Sequence, residues 1–175
     1  FDPQTHVLYV PSTTYPMVVK LQASNPERSN FNYRRSREVS RISGPEGLPL
    51  TRPPYARITA IDLDTGEHAW MVPNGEGKRV RDRVKALGLP DPGWVGESGS
   101  TGPLLTGTLL FIAHRGGGNP VLRAYDKSNG ELVHEVALPA RPYGTPMTYM
   151  SKGKQHISIA VGEMDSAGIL TLALP

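Results

Sequence analysis

Apolar and polar residues alternate with a period of two along most of this chain. Residues 7–10, 17–21, 57–62, 68–72, 104–105, 108–114, 121–126, 131–138, 146–150, 156–161 and 169–174 each read as a short strand, and most are joined by segments rich in Gly, Pro, Asn, Asp and Ser. Helical spacing appears where Val80, Val84 and Leu87 recur among Lys78, Arg79, Arg81, Arg83 and Lys85, which predicts a short basic helix. The expected class is all-β.

One pattern occurs twice. Ala60-Ile61-Asp62-Leu63-Asp64-Thr65-Gly66-Glu67 ends in Trp70, and Ala124-Tyr125-Asp126-Lys127-Ser128-Asn129-Gly130-Glu131 ends in His134. Each copy reads as a β-hairpin: an alternating strand runs into a Thr-Gly or Asn-Gly turn, with glycine where the turn needs a positive φ, and a second strand follows. Asp62 and Asp126, at the hairpin corners, are expected to bond the backbone of their own turns rather than act as catalytic carboxylates. Trp70 is expected to be a largely buried packing residue whose indole N–H finds a backbone acceptor, and His134 to give a smaller, more polar contact. A hairpin cannot bury its apolar face alone, so two copies imply stacked sheets, as in a propeller or solenoid.

Two stretches depart from the strand pattern. Residues 23–54 are rich in Ser, Pro, Asn and Arg without apolar periodicity, and read as a long surface insertion. Residues 75–99 form a second insertion, which holds the basic helix. The turn-like Pro11-Ser12-Thr13-Thr14-Tyr15-Pro16 separates the first two strands. The 175 residues include 17 prolines, 19 glycines and no cysteine, with a net charge of +3, a turn-rich globular composition that lacks thiolate metal sites and disulfides. No apolar run reaches the roughly 18 residues of a membrane-spanning helix.

Candidate chemistry is sparse. His6, His68, His114, His134 and His156 are scattered, without the H-x-x-x-H or H-x-H spacing of a metal site. Gly116-Gly117-Gly118 lacks the G-K-[ST] tail of a phosphate-binding loop and reads as a hairpin loop. Ser98, Ser100 and Thr101 lie among glycines but form no G-x-S-x-G, so hydrolysis is not expected. The basic stretches around Arg34-Arg35-Ser36-Arg37 and residues 78–85 carry no interleaved stacking aromatics, which argues for solvated loops and against nucleic acid.

The hairpin with a terminal Trp resembles the tryptophan-docking motif of quinoprotein dehydrogenases, which carry pyrroloquinoline quinone (PQQ). Phe1-Asp2-Pro3-Gln4-Thr5 with Leu8-Tyr9-Val10-Pro11, Gly102-Pro103-Leu104-Leu105-Thr106 with Leu110-Phe111, and Thr145-Pro146-Met147-Thr148-Tyr149 with Gly153-Lys154-Gln155 and Ile159-Ala160 follow in the family's order. The resemblance covers most of the chain and implies the C-terminal part of a PQQ-dependent glucose or alcohol dehydrogenase. That family builds an eight-bladed propeller, of which 175 residues supply about three or four blades. The whole chain, residues 1–175, is therefore expected to be C-terminal propeller blades of a longer protein.

The resemblance further implies a sugar or alcohol substrate that gives up a hydride to the quinone, Ca²⁺ held by ligands upstream, and a periplasmic location. Missing N-terminal blades, or self-association in their place, are the expected protein partners. The family's PQQ-binding Asn matches Thr13, beside Ser12, and its glycine-rich cofactor loop matches Gly162, followed by Glu163-Met164-Asp165 in place of further glycines. Its stacking Trp is absent, the matching place falling near Ser100. These cofactor-binding residues, Ser12, Thr13, Gly162 and Glu163, make the chain one wall of the pocket. The catalytic base lies outside the matched segment. The alternative is a non-catalytic propeller that binds other proteins, like the bacterial outer-membrane assembly lipoprotein that shares these repeats.

Overall fold

Backbone hydrogen bonds sort the strands into four antiparallel sheets. In chain order the strands are β1 (Val7–Thr13), β2 (Met17–Ala23), β3 (Tyr33–Arg41), β4 (Ala56–Asp62), β5 (His68–Pro73), β6 (Leu104–Leu105), β7 (Leu109–His114), β8 (Val121–Asp126), β9 (Leu132–Ala137), β10 (Pro142–Ser151), β11 (Lys154–Val161) and β12 (Gly168–Ala173). A helix, α1 (Lys78–Ala86), lies between β5 and β6, as its apolar spacing predicts. The computed structural model describes residues 1–115 and 119–173, with Val39 and Arg41 by their backbone alone. The run Gly116-Gly117-Gly118 and the end of the last predicted strand, Leu174, lie outside the described residues.

Two units are distinct, one of residues 1–13 with 53–175 and one of residues 14–52. The first holds three sheets, ordered β1-β4-β5, β6-β7-β8-β9 and β10-β11-β12. The middle sheet is buried on both faces. Leu110 and Ile112 join Tyr9, Ile58, Ala60 and Tyr125 in one core, while Ala113 and Leu122 join Leu138, Ile159 and Val161 in another. The run Leu-Leu-Phe-Ile-Ala in β7 is thus continuous because alternate residues serve different neighbours. By contrast β5 and β12 are edge strands with no fully buried residue.

The two motif copies occupy equivalent places. Ala60 pairs with Trp70 and Ala124 with His134, and each hairpin shifts register at the next residue. The Asp62 carboxylate accepts from the amides of Asp64 at 2.8 Å and Thr65 at 3.2 Å. That of Asp126 accepts from the amide of Ser128 at 2.8 Å and its hydroxyl at 2.6 Å. Both aspartates brace turns.

Trp70 of the first copy docks on the turn of the second. Its indole N–H donates to the Lys127 carbonyl at 3.0 Å, and its ring lies where a Cβ on Gly130 would stand only 2.7 Å away. The Tyr9 hydroxyl donates to the same carbonyl at 3.1 Å, its ring centred 5.7 Å from that of Trp70. Lys127 in turn donates to the buried Asp2 carboxylate at 2.6 Å. The Trp70 ring packs against the first core with only part of its surface accessible, that part being left by β5 as an edge strand. His134 is exposed.

The second unit corrects the reading of residues 23–54. Tyr33–Arg41 is a strand, paired with β2 through Met17↔Arg41 to Ala23↔Tyr33. Its sequence, Tyr-Arg-Arg-Ser-Arg-Glu-Val-Ser-Arg, has little apolar alternation, and a register shift between Val19 and Leu21 breaks the period further. The predicted turn at residues 11–16 is also shorter, since β1 continues through Thr13 and pairs with Ala56.

Gly66→Ala and Gly130→Ala separate turn geometry from docking. Both glycines have φ +77, but only Gly130 faces a side chain, the Trp70 ring. Chemical denaturation is expected to show a loss of about 1 kcal/mol for Gly66→Ala and a larger one for Gly130→Ala. In the background of Trp70→Ala the excess should vanish. A second expectation concerns acid. Lys127, with the Gln4 amide and Thr5 hydroxyl, lowers the Asp2 pKa from 3.8 to about 2. The unfolded chain therefore binds more protons between these values, and the stabilisation, present above pH 4, is lost as pH falls toward 2. Asp2→Asn should flatten this part of the pH–stability curve.

Candidate functional site

The docked turns lie at one end of the three sheets, and the sequence-predicted site residues lie at the other. Thr13 closes β1 opposite Ala56, whose carbonyl accepts from the Asn74 amide at 2.9 Å. The Asn74 side chain meets the His114 ring at the end of β7. Arg115, the next residue, donates through Nε to the Pro142 carbonyl at 3.1 Å, and the Gly162 amide donates to the Arg141 carbonyl at 2.9 Å. A continuous line of contacts thus joins Ser12 and Thr13 to Gly162 and Glu163 along one rim.

Ser12 is half-buried opposite Arg57, and Thr13 is exposed. Gly162 is buried at φ +88, and a Cβ there would stand 2.1 Å from the Ser166 carbonyl oxygen, so the tight turn itself demands glycine. Glu163 caps a short 3₁₀ turn (Met164–Ser166): its amide donates to the Ser166 hydroxyl at 3.1 Å. Its carboxylate accepts from the Tyr143 hydroxyl and, at 3.3 Å, from Arg141. The Tyr143 hydroxyl first, and Arg141 second, hold the Glu163 carboxyl below the usual range, while Glu163 raises the Tyr143 phenol. The Arg115 guanidinium sits 4.4 Å above the Tyr143 ring.

Arg115, Arg141 and Tyr143 were not legible as site residues, because none belongs to a spaced motif; only their place at strand ends could have drawn notice. Thr101 is structural: its amide donates to the Ala113 carbonyl at 2.8 Å and its hydroxyl accepts from the Ala113 amide at 3.1 Å. This extends the pairing beyond β6, with Ser100 bridged to His114. Gly102 is required by contact, since a Cβ would stand 2.2 Å from the Thr145 hydroxyl. Among the described residues no three His, Asp or Glu side chains come together in a way that could hold a metal ion.

The rim presents two guanidinium groups, one held over a ring and one beside a carboxylate, which leave a single formal positive charge after Glu163 is counted, and the Ser12 and Thr13 hydroxyls of the first blade are neutral donors further along it. Beneath it His114 is inaccessible to solvent, and its Nε2–H donates to the Asn74 amide oxygen. Burial, helped by the Arg123 charge, lowers its pKa from 6.5 to about 4, so it is neutral in the folded state near neutral pH. The unfolded chain takes up a proton as pH falls below 6.5, and stability is expected to decline from there until pH is below about 4. Unfolding midpoints between these pH values should show that decline, and His114→Gln should abolish it.

Residues 1–157 match the family model described as PQQ glucose/ethanol/alcohol dehydrogenase, β-propeller domain. The quinate/shikimate dehydrogenase (quinone) of Acinetobacter baylyi is 32% identical over 84% of this chain and 19% of its own length. The quinoprotein glucose dehydrogenase of Escherichia coli is 37% identical over 75% and 17%. Among solved structures, the quinohemoprotein alcohol dehydrogenase of Comamonas testosteroni aligns with a TM-score of 0.58 at 23% identity, over 93% of this chain and 21% of that one. A europium-containing methanol dehydrogenase aligns with a TM-score of 0.61 at 21% identity, over 93% and 23%. The chain therefore spans about a fifth of the length of the relatives it matches. Its three stacked sheets are propeller blades, and the chain belongs to the PQQ-dependent dehydrogenase β-propeller family.

Proposed function

We propose that the protein containing this chain is a periplasmic PQQ-dependent dehydrogenase that oxidises a sugar or alcohol hydroxyl to a carbonyl, and that this chain supplies three blades and one wall of the cofactor site. The observation that carries this reading is the family match over residues 1–157. The matched relatives, a quinate/shikimate and a glucose dehydrogenase, agree with a polyhydroxylated substrate. Bound PQQ supplies the two-electron acceptor for such an oxidation. The rim chemistry fits this anionic quinone: Arg115 and Arg141 would hold its carboxylates, Ser12 and Thr13 would donate to its oxygens, and the Tyr143–Glu163 pair keeps both guanidinium groups in place. Ca²⁺, the family's metal in this reading, takes its ligands and the base from the rest of the protein.

The exposed Met147, Tyr149 and Met150 of β10 and Ile169 of β12 leave the third blade with an apolar surface suited to a neighbouring blade. A non-catalytic, protein-binding propeller is the second reading, favoured by Glu163, Met164 and Asp165 standing where cofactor-loop glycines are expected.

The test is PQQ titration of the full-length protein with Ca²⁺, followed by dye reduction with sugars and alcohols. Saturable PQQ binding is expected, weakened about tenfold by Arg115→Ala or Arg141→Ala, the loss of one charge-assisted hydrogen bond. Residues 1–175 alone should show no turnover. Absence of PQQ binding by the full-length protein would favour the scaffold reading, and turnover by the fragment would place the catalytic base within it.

A further inference from the structure

A cleft of about 370 Å³ lies between the insertion at residues 75–99 and the second blade, adjoining the rim at His114, and is lined by Glu76, Lys78, Glu97, His114, Asn119, Val121, Arg123 and Glu135. Two of its lining residues carry polar atoms that no described residue satisfies. Arg123 is 3% exposed; its Nε donates to Glu135 at 2.6 Å and its plane lies 4.8 Å from the Trp94 ring centre, yet Nη1 completes no hydrogen bond among the described residues, nor does the buried Tyr125 hydroxyl two residues along the same strand, which feels the Arg123 guanidinium. His114, fully buried, gives its one proton to Asn74, and Nδ1 is left as an acceptor without a donor among the described residues. Buried unsatisfied groups of this kind are uncommon and need a reason. Glu76 flanks them: its partly exposed carboxylate is 3.6 Å from Arg81 and 3.7 Å from Arg123, within ion-pair range of both.

The unfilled positions are one donor, Arg123 Nη1, and one acceptor, His114 Nδ1, close to a nearly balanced set of charges. An anion would meet the carboxylates of Glu76, Glu97 and Glu135, and a cation would meet Arg123 and Lys78. A hydroxyl both donates and accepts, so a molecule with adjacent hydroxyls answers Arg123 and His114 together and can also donate to the Glu76 carboxylate beside them. We infer that this cleft is a second binding site, for a neutral polyol or sugar of about monosaccharide size, whose lining includes none of Ser12, Thr13, Arg115, Arg141, Tyr143 or Glu163. Such a ligand would tie α1 and the segment at residues 94–97 to the second blade. The inference stands independently of PQQ.

The experiment is calorimetric titration of the full-length apoprotein, without PQQ, with myo-inositol, glycerol and glucose, and with inorganic phosphate as the anionic probe. Wild-type protein is expected to bind a polyol saturably, with one site lost or weakened at least tenfold in Arg123→Lys, which keeps the charge but removes Nη1. Should that buried variant fail to fold, the half-buried Glu76→Gln carries the same expectation, with PQQ affinity unchanged. Three outcomes would overturn the inference: no saturable polyol binding, polyol binding equal in wild type and the folded variants, or competition by phosphate. A polyol-soaked crystal showing ordered water alone on Arg123 and His114 would do the same. If PQQ binding fails while this site remains, only the dehydrogenase reading falls.

Discussion

A sheet that is apolar on both faces is insoluble by itself, and the middle sheet of this chain is such a sheet. Leu110 and Ile112 look to one side, Phe111 and Ala113 to the other, and no helix covers either. Among the described residues each face is covered by another sheet, so burial of the middle blade depends on both neighbours. Burying a Leu or Ile side chain is worth about 1.5–3 kcal/mol, and these cores bring the strand ends, and with them the rim, into line. Directional contacts then fix how the sheets meet. Trp70, Tyr9 and Lys127 converge on one turn, with Asp2 neutralising the lysine, and together they clip the first blade to the second at the end opposite the rim.

The rim itself is governed by electrostatics more than by burial. Glu163 is exposed, yet Tyr143 and Arg141 both serve it, and Arg115 is steered by a ring face and a carbonyl. The same carboxylate that breaks the family's glycine pattern therefore positions the cations around it. Below it, the neutral His114 shows the opposite regime, where desolvation outweighs any gain from charge.

What could be read from the sequence was what repeats or alternates. The paired Ala-x-Asp-x-x-x-Gly-Glu segments gave both hairpins, their turn glycines and the bracing role of Asp62 and Asp126, because each feature follows from local backbone demands. Strand β3 was hidden because most of its described side chains are exposed, so it needs no apolar alternation, and its arginines looked like loop. The degree of Trp70 burial depends on β5 being an edge, a property of sheet order that no local pattern encodes. Thr13 and Gly162 were singled out through family likeness alone. The cluster of Arg115, Arg141 and Tyr143 arises from three strand ends far apart in sequence, and the Arg123–Glu76 approach likewise joins a strand to an insertion; pairings of this kind leave no periodic trace.

The insertion between β1 and β4 leaves the first sheet at Thr13 and returns at Ala56, and these two residues are partners across one antiparallel ladder. Partners of this kind stand about 4.5–5.5 Å apart. The intervening residues therefore hang from a port whose width is set by the ladder and is indifferent to what hangs there. Since closing a longer loop adds only about 0.6 kcal/mol per doubling of length, segments of very different size and chemistry can be exchanged at this port without changing the blade's register. The first blade is thus a socket in which a lineage can vary the inserted segment while leaving the β1–β4 ladder, which ends at Thr13 and Ala56, in place.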